Sequence, residues 1–214
     1  LAKIKRENEQ LRADLEKALQ ELRGKNTELE KSLRRVEEMA ATDPLTGLYN
    51  RRHFSKVLEQ LFSEATRYGS ELSCVMIDLD GYKQLNDTFG HAVGDQLLMV
   101  AGKVIAANMR RMDIAARYGG DEFIVLLPHA NLHEAEAVIQ RLREEYRLSS
   151  AVVLQRNEGV SMSVGIASLA CDKSAGAEQL VAAADAALYR AKRAGRGRIE
   201  LCDGSDQPAM KSHP

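Results

Sequence analysis

The sequence predicts an α/β domain preceded by a long coiled-coil helix. Apolar runs of strand length recur at 72–77, 114–116, 123–127 and 160–168. Stretches with apolar residues at helical spacing lie around them, at 51–66, 94–108, 132–148 and 177–194. Residues 1–41 differ from both, with a narrow apolar stripe between charged flanks. Strand and helix patterns in alternation bury their apolar faces as a sheet covered by helices, whereas a narrow heptad stripe buries itself against a partner helix.

The 214 residues have room for one ordinary domain plus an appendage, and the 44% hydrophobic content is enough for a proper core. A formal net charge of −1 gives no global field that would mark nucleic acid or a membrane surface as the main partner. No apolar run reaches the roughly 18–20 residues that span a bilayer, and no signal peptide is expected. Cys74, Cys171 and Cys202 lack metal-type spacing. Cys74 lies inside an apolar run and reads as a buried free thiol, a usage that suits a reducing cytoplasm. The chain opens on Leu1, already in a helical repeat, so it is expected to be the C-terminal part of a longer protein.

Residues 1–42 carry ten basic and nine acidic side chains. The seam runs through Ile4, Asn8, Leu11, Leu15, Leu19, Leu22, Asn26, Leu29, Leu33, Val36 and Ala40 in steps of three and four. One extra four-residue step near Leu15 is a stutter, which locally unwinds a supercoil. Asn8 and Asn26 stand on the seam as register-fixing polar residues of a parallel dimer. The rival arrangement is one amphipathic helix packed on the globular domain; the narrow stripe with charge on both flanks favours the dimer. Thr42-Asp43-Pro44 breaks the helix and starts a domain expected over 42–202, and the tail 203–214 reads as disordered.

Asp43 to Asn50 form a turn leading into helix 51–66, which places Phe54, Val57, Leu58, Leu61 and Phe62 on one face. The buried strand Leu72-Ser73-Cys74-Val75-Met76-Ile77 then ends in Asp78-Leu79-Asp80. A carboxylate held rigidly at a strand end is well placed for a hard cation such as magnesium, whereas Asp80 reads as shaping the turn. In the segment 81–95, taken as a loop, Lys83 alone would be solvated and Asp95 would cap helix 94–108. Arg110 and Asp113 follow that helix. The stretch Arg117-Tyr118-Gly119-Gly120-Asp121-Glu122-Phe123 lies between two apolar runs and reads as a β-hairpin with a glycine turn and two acids at the mouth of its second strand. Pro128 ends that strand, and Arg141 lies on the helical stretch that follows. Helix 177–194 buries Leu180, Ala184, Ala187, Leu188 and Ala191, and residues 190–198 carry five basic side chains and no acid.

Residues 43–201 resemble the GGDEF family of diguanylate cyclases throughout. The signature Gly119-Gly120-Asp121-Glu122-Phe123 is present letter for letter, and residues 43–52 match the D-x-L-T-G-L-x-N-R-R opening. Lys83, Asn86, His91 and Asp95 match F-K-x-x-N-D-x-x-G-H-x-x-G-D, and residues 163–166 fall on the S-x-G-I strand. Asp185 to Arg196 match D-x-A-L-Y-x-A-K-x-x-G-R, with Gly197 where the family has Asn. Gly81 stands where an aromatic is often found, which should loosen the loop.

The resemblance implies a central mixed sheet surrounded by helices, like the palm of nucleotidyl cyclases. It implies condensation of two GTP into cyclic di-GMP and two pyrophosphates by a homodimer, with one GTP in each half-site. Asp78, the Leu79 carbonyl and Asp121 would hold magnesium (or manganese). Asp121 or Glu122 would assist as base, and Lys83 would stabilise the transition state. Asn86 and Asp95 would read guanine, His91 would lie near the nucleotide, and Lys192 and Arg196 would hold the triphosphate. Arg110 and Asp113, with Arg141, would bind cyclic di-GMP as an inhibitor. An upstream sensor or receiver domain is the usual family arrangement. A silent cyclic di-GMP effector and a cyclase of altered nucleotide choice are the other classes; the intact Asp78, Lys83, Asp121, Glu122 and Lys192 speak against the first, and Asp95 against the second.

Overall fold

The computed structural model describes residue 12 and residues 15–31, 41–171 and 176–202, and it divides into two compact units, Leu1–Ala41 and Thr42–Pro214. In the first unit residues 15–31 are helical, and Leu15, Leu19, Leu22 and Leu29 are 45–66% exposed on the single chain. Seam positions Ile4, Asn8, Leu11, Leu33, Val36 and Ala40 lie outside the described residues, as does the tail 203–214. No helix among the described residues is long and apolar enough to cross a membrane.

The second unit is built on one six-stranded mixed sheet. In chain order its elements are β1 (Tyr49–Asn50), α1 (Arg51–Tyr68), β2 (Leu72–Leu79), α2 (Tyr82–Phe89), α3 (His91–Asn108), β3 (Ile114–Gly119), β4 (Glu122–Pro128), α4 (Leu132–Leu154), β5 (Met162–Ser168), α5 (Ala177–Arg193) and β6 (Ile199–Leu201). The strand order is β1-β3-β4-β2-β5-β6. The β3–β4, β4–β2 and β2–β5 pairs are antiparallel, while the outer pairs β1–β3 and β5–β6 are parallel.

Period-two alternation explains the layering. Val75, Ile77 and Leu79 of β2 join Phe123, Val125 and Leu127 of β4 in one core, closed by α3 and α4. Cys74 and Met76, with Ile124 and Leu126, face the opposite core under α1 and α5. Because both faces are covered, all eight residues of β2 are buried and the strand reads as a continuous apolar run. The α5 residues expected inside, Leu180, Ala184, Ala187, Leu188 and Ala191, are all buried.

Helix α5 packs on β5 because Gly165 has no side chain. A Cβ there would lie 2.1 Å from the Ala184 carbonyl oxygen and 2.1 Å from the Leu188 nitrogen, both backbone atoms. Gly165→Ala is therefore expected to force helix and strand apart at a cost of about 3 kcal/mol, readable as a lower urea midpoint with an unchanged slope.

The structure corrects several expectations. Residues 82–89 are helical rather than loop, and Gly81, at φ 71° before α2, sits where the left-handed backbone favours glycine. Glycine therefore fits this turn instead of loosening it. Helix α3 starts at His91 with Gly90 at its N-cap, so Asp95 stands inside the helix and caps nothing. The short strands β1 and β6 carry too few residues to show an alternation in the sequence. Cys74 is a buried thiol whose titration burial pushes far up. Cys171 and Cys202, by contrast, lie side by side across 31 residues, a pairing no spacing rule indicated.

Candidate active site

The site forms where β2 and α5 end and β4 begins. Asp78 is the penultimate residue of β2, 9% exposed, directly across the sheet from Glu122 at the start of β4. Lys192, from the last turn of α5, donates from Nζ to Asp78 Oδ2 at 2.6 Å. Burial pushes the Asp78 carboxyl up to about 6; Lys192 opposes this, and the charges of Asp121 and Glu122 reinforce it. Three acids thus feel one another at one end of the sheet. The Leu79 amide donates to the Asp121 carbonyl at 3.3 Å, fixing the hairpin turn against the strand that carries Asp78.

These residues fit a divalent cation shared with substrate. Asp78, Asp121 and Glu122 supply hard oxygens. Among the described residues no three acidic, His or Cys side chains form a ready-made metal cage. Magnesium commonly uses one or two carboxylates and completes its shell with water and phosphate oxygens, so an open donor set is the appropriate kind.

The signature hairpin is held at its turn. Arg117 donates from Nε to the Gly120 carbonyl at 2.9 Å and pairs through Nη1 with Asp43 Oδ2 at 3.3 Å. Asp43 in turn accepts from the Thr46 amide and hydroxyl, both at 2.8 Å. Burial of Asp43 favours its neutral form, but the Thr46 hydrogen bonds and Arg117 outweigh this and hold it below the usual range. Tyr118 is fixed by the Arg51 guanidinium over its ring at 4.4 Å and by the edge of Phe54. Sequence reasoning gave the Asp43–Pro44 opening a structural role but missed Arg117 as the link between that opening and the hairpin. The only available signal was an arginine just before the glycine pair.

The residues expected to read a base lie on α2 and α3. Asn86 packs against Gly94: a Cβ on Gly94 would meet Asn86 Oδ1 at 1.8 Å. That Oδ1 is buried and has no hydrogen-bond partner among the described residues. Asp95 and His91 are exposed on α3, one residue beyond and three before Gly94. Lys83 is exposed on α2, and Arg196 is exposed beyond α5. Neither side chain has a hydrogen bond or ion pair among the described residues, so both cations are open to a ligand.

Arg110 and Asp113 form a tight turn between α3 and β3. The Arg110 amide donates to Asp113 Oδ2 at 2.7 Å, and the Asp113 amide donates back to the Arg110 carbonyl at 3.1 Å. Burial raises the Asp113 carboxyl, against the pull of Arg110. Arg141 of α4 reaches the same region, donating from Nε to Asn108 Oδ1 at 2.8 Å.

Asp80 departs from its expected part as a turn former alone. Its carboxylate accepts from the Ser161 and Ser163 hydroxyls, each at 2.6 Å, and from the Gly197 amide at 3.0 Å. The serines sit at and just before the start of β5, remote in sequence, so no local pattern could reveal this contact.

Comparison with known proteins agrees with this geometry. The family described as "Diguanylate cyclase, GGDEF domain" matches residues 40–198. The response regulator PleD of Caulobacter vibrioides is 38% identical over 164 residues, covering 76% of this chain and 36% of PleD. The chain therefore spans about a third of the length of that curated relative. Among solved structures, the coiled coil and GGDEF domain of DgcB from Caulobacter crescentus, in complex with c-di-GMP, aligns at TM-score 0.66 and 30% identity, covering 87% of this chain and 98% of that one. Diguanylate cyclase SiaD of Pseudomonas aeruginosa, solved with its activator SiaC, aligns at TM-score 0.70 and 34% identity over 92% of this chain and 75% of that one. The sheet order, the hairpin carrying Gly119 to Phe123 and the match over 40–198 together place this chain in the GGDEF family of diguanylate cyclase domains.

Proposed function

We propose that this domain condenses two GTP into cyclic di-GMP and two pyrophosphates. The observation that carries the reading is the cluster of Asp78, Glu122 and Lys192 at the sheet end, beside the turn that bears Asp121. Each 3′-hydroxyl oxygen attacks the α-phosphorus of the other nucleotide. The bond from that phosphorus to the bridging oxygen of the β-phosphate breaks, and the hydroxyl proton leaves to a base. Asp121 or Glu122 is the acid read as accepting that proton. Asp78, Asp121 and the Leu79 carbonyl would hold a divalent cation, which would supply charge neutralisation and lower the pKa of the attacking hydroxyl. Lys192, Arg196 and Lys83 bear on the triphosphate. Asn86, with its unpartnered Oδ1, and Asp95 bear on guanine, whose N1–H and N2–H₂ groups are donors. His91 is read as lying near the nucleotide.

The test is incubation with GTP and Mg²⁺ and chromatographic separation of products. Cyclic di-GMP and pyrophosphate in a 1:2 ratio are expected. Tight cyclic di-GMP binding without turnover would instead favour a silent effector.

One site holds one GTP, so two domains must face each other, and the exposed leucine seam of the N-terminal helix supports a parallel dimer as the means. Asn26→Leu is expected to raise thermal stability while loosening register, giving mixed oligomers by light scattering and altered turnover. A clean dimer with an unchanged rate would show that register at this position is irrelevant to the reaction. Product inhibition through Arg110, Asp113 and Arg141 belongs to the same reading, as does an upstream domain that governs the helix.

A further inference from the structure

We infer that Asp80 is a positioning residue for Arg196, acting on triphosphate affinity rather than on the chemical step. The inference rests on the reading of Arg196 as a triphosphate ligand and goes beyond it by naming what aims it.

The loop between α5 and β6 has an unusual backbone. Gly195, Arg196 and Gly197 take φ values of 112°, 59° and 57° in succession. Arg196 is therefore an L side chain in a region that such residues rarely adopt, and its surroundings must hold it there. The Arg196 amide donates to the Ala191 carbonyl at 3.1 Å, which ties the loop to α5. On the other side the Gly197 amide donates to Asp80 Oδ2 at 3.0 Å and lies 3.2 Å from Ser163 Oγ. The Gly197 carbonyl accepts from Arg143 Nη2, while Arg143 Nε donates to the Met162 carbonyl at 3.1 Å. Both hydrogen-bonding groups of the Gly197 backbone are thus engaged, and Asp80 is the anion at the centre.

The same contacts separate Asp80 from Asp78. Three donors occupy the Asp80 carboxylate: two serine hydroxyls and one amide. The Asp80 amide also donates to the Ser161 carbonyl at 3.0 Å, so backbone and side chain grip β5 together. The end of β2 and the turn after it therefore carry two acids with different duties. Asp78 faces Lys192 and the hairpin, and Asp80 faces the loop that presents Arg196. Gly197, where the family pattern has Asn, suits this arrangement, since its left-handed φ costs glycine nothing.

Asp80→Asn retains the size but replaces an anion that accepts three hydrogen bonds with an amide that must donate on one side. Charge-assisted hydrogen bonds of this kind are strong enough that KM for GTP is expected to rise about tenfold, with kcat within about twofold. Arg196→Ala should raise KM by a similar factor. The double variant should be no worse than Arg196→Ala alone, because Asp80 acts through Arg196. Additive effects, or a collapse of kcat at saturating GTP, would overturn the inference and make Asp80 part of the fold or of the metal set.

Titration calorimetry with inorganic tripolyphosphate, on the same variants, gives a readout independent of turnover. Weakened binding in each single variant with no further loss in the double is expected, and equal binding in wild type and Asp80→Asn would overturn the inference. If wild type makes no cyclic dinucleotide but the tripolyphosphate pattern holds, the functional reading fails and the positioning role stands. Should Asp80→Asn not fold, Ser163→Ala removes one donor with less disturbance and is expected to weaken tripolyphosphate about threefold; unchanged binding in that variant would equally overturn it.

Discussion

Asp121→Asn is expected to lower kcat by about three orders of magnitude while moving Tm by less than about 2 °C. The side chain sits at a glycine turn and takes part in no hydrogen bond among the described residues, so its amide replacement removes charge without removing packing. The backbone contact from the Leu79 amide to the Asp121 carbonyl survives the substitution. On the proposed metal set, what is lost is one of two carboxylates, and a cation that depended on both would lose much of its hold. Turnover at saturating GTP over a Mg²⁺ titration checks this. Near-normal kcat at any Mg²⁺ concentration would remove Asp121 from the metal set and from catalysis. The same experiment on Asp80→Asn should leave kcat nearly intact.

Arg110→Ala is expected to leave the initial rate near normal and to weaken product inhibition roughly 5–150-fold, the range corresponding to one lost bidentate contact of about 1–3 kcal/mol. The variant keeps the peptide N–H that donates to Asp113 Oδ2, so the turn between α3 and β3 stays formed and only the guanidinium disappears. An arginine fork pairs with guanine O6 and N7 or with a phosphate, and Arg141, anchored through Asn108, brings a second guanidinium to the same region. Progress curves with cyclic di-GMP added at the start separate the outcomes. Equal slowing of wild type and variant would make Arg110 a solvated turn residue. A lower initial rate without added product would point instead to damage in β3 and the hairpin.

The parts of this domain that were legible from sequence are those with long apolar periods or fixed local spacing. Strand β2 and helices α1 and α5 declared themselves because burial on a whole face repeats many times along each. The hairpin was equally clear, since Gly119 and Gly120 interrupt two apolar runs. Helix α2 was not legible: its eight residues contain no fully buried side chain, so no apolar stripe marks it. Helix α3 begins earlier than its apolar run because Gly90, not a side-chain cap, starts it. The site divides in the same way. Asp78, Asp121, Glu122 and Lys192 could be named from motif positions, and the fold brings Asp78, Glu122 and Lys192 together. The contacts that hold them, Arg117 with Asp43 and Asp80 with Ser161, Ser163 and Gly197, join residues 74 to 117 positions apart, a separation at which a single sequence carries no pairing information.

The flanks of the sheet have a consequence for how copies of this domain can meet. Strand β1 contributes two residues and β6 three, each running parallel to its neighbour. An outer strand invites another chain to extend the ladder only if it offers a long row of free peptide groups, and rims this short offer almost none. Polymerisation by strand addition is thereby discouraged. Contacts between copies of this domain are left to side-chain surfaces rather than to backbone ladders.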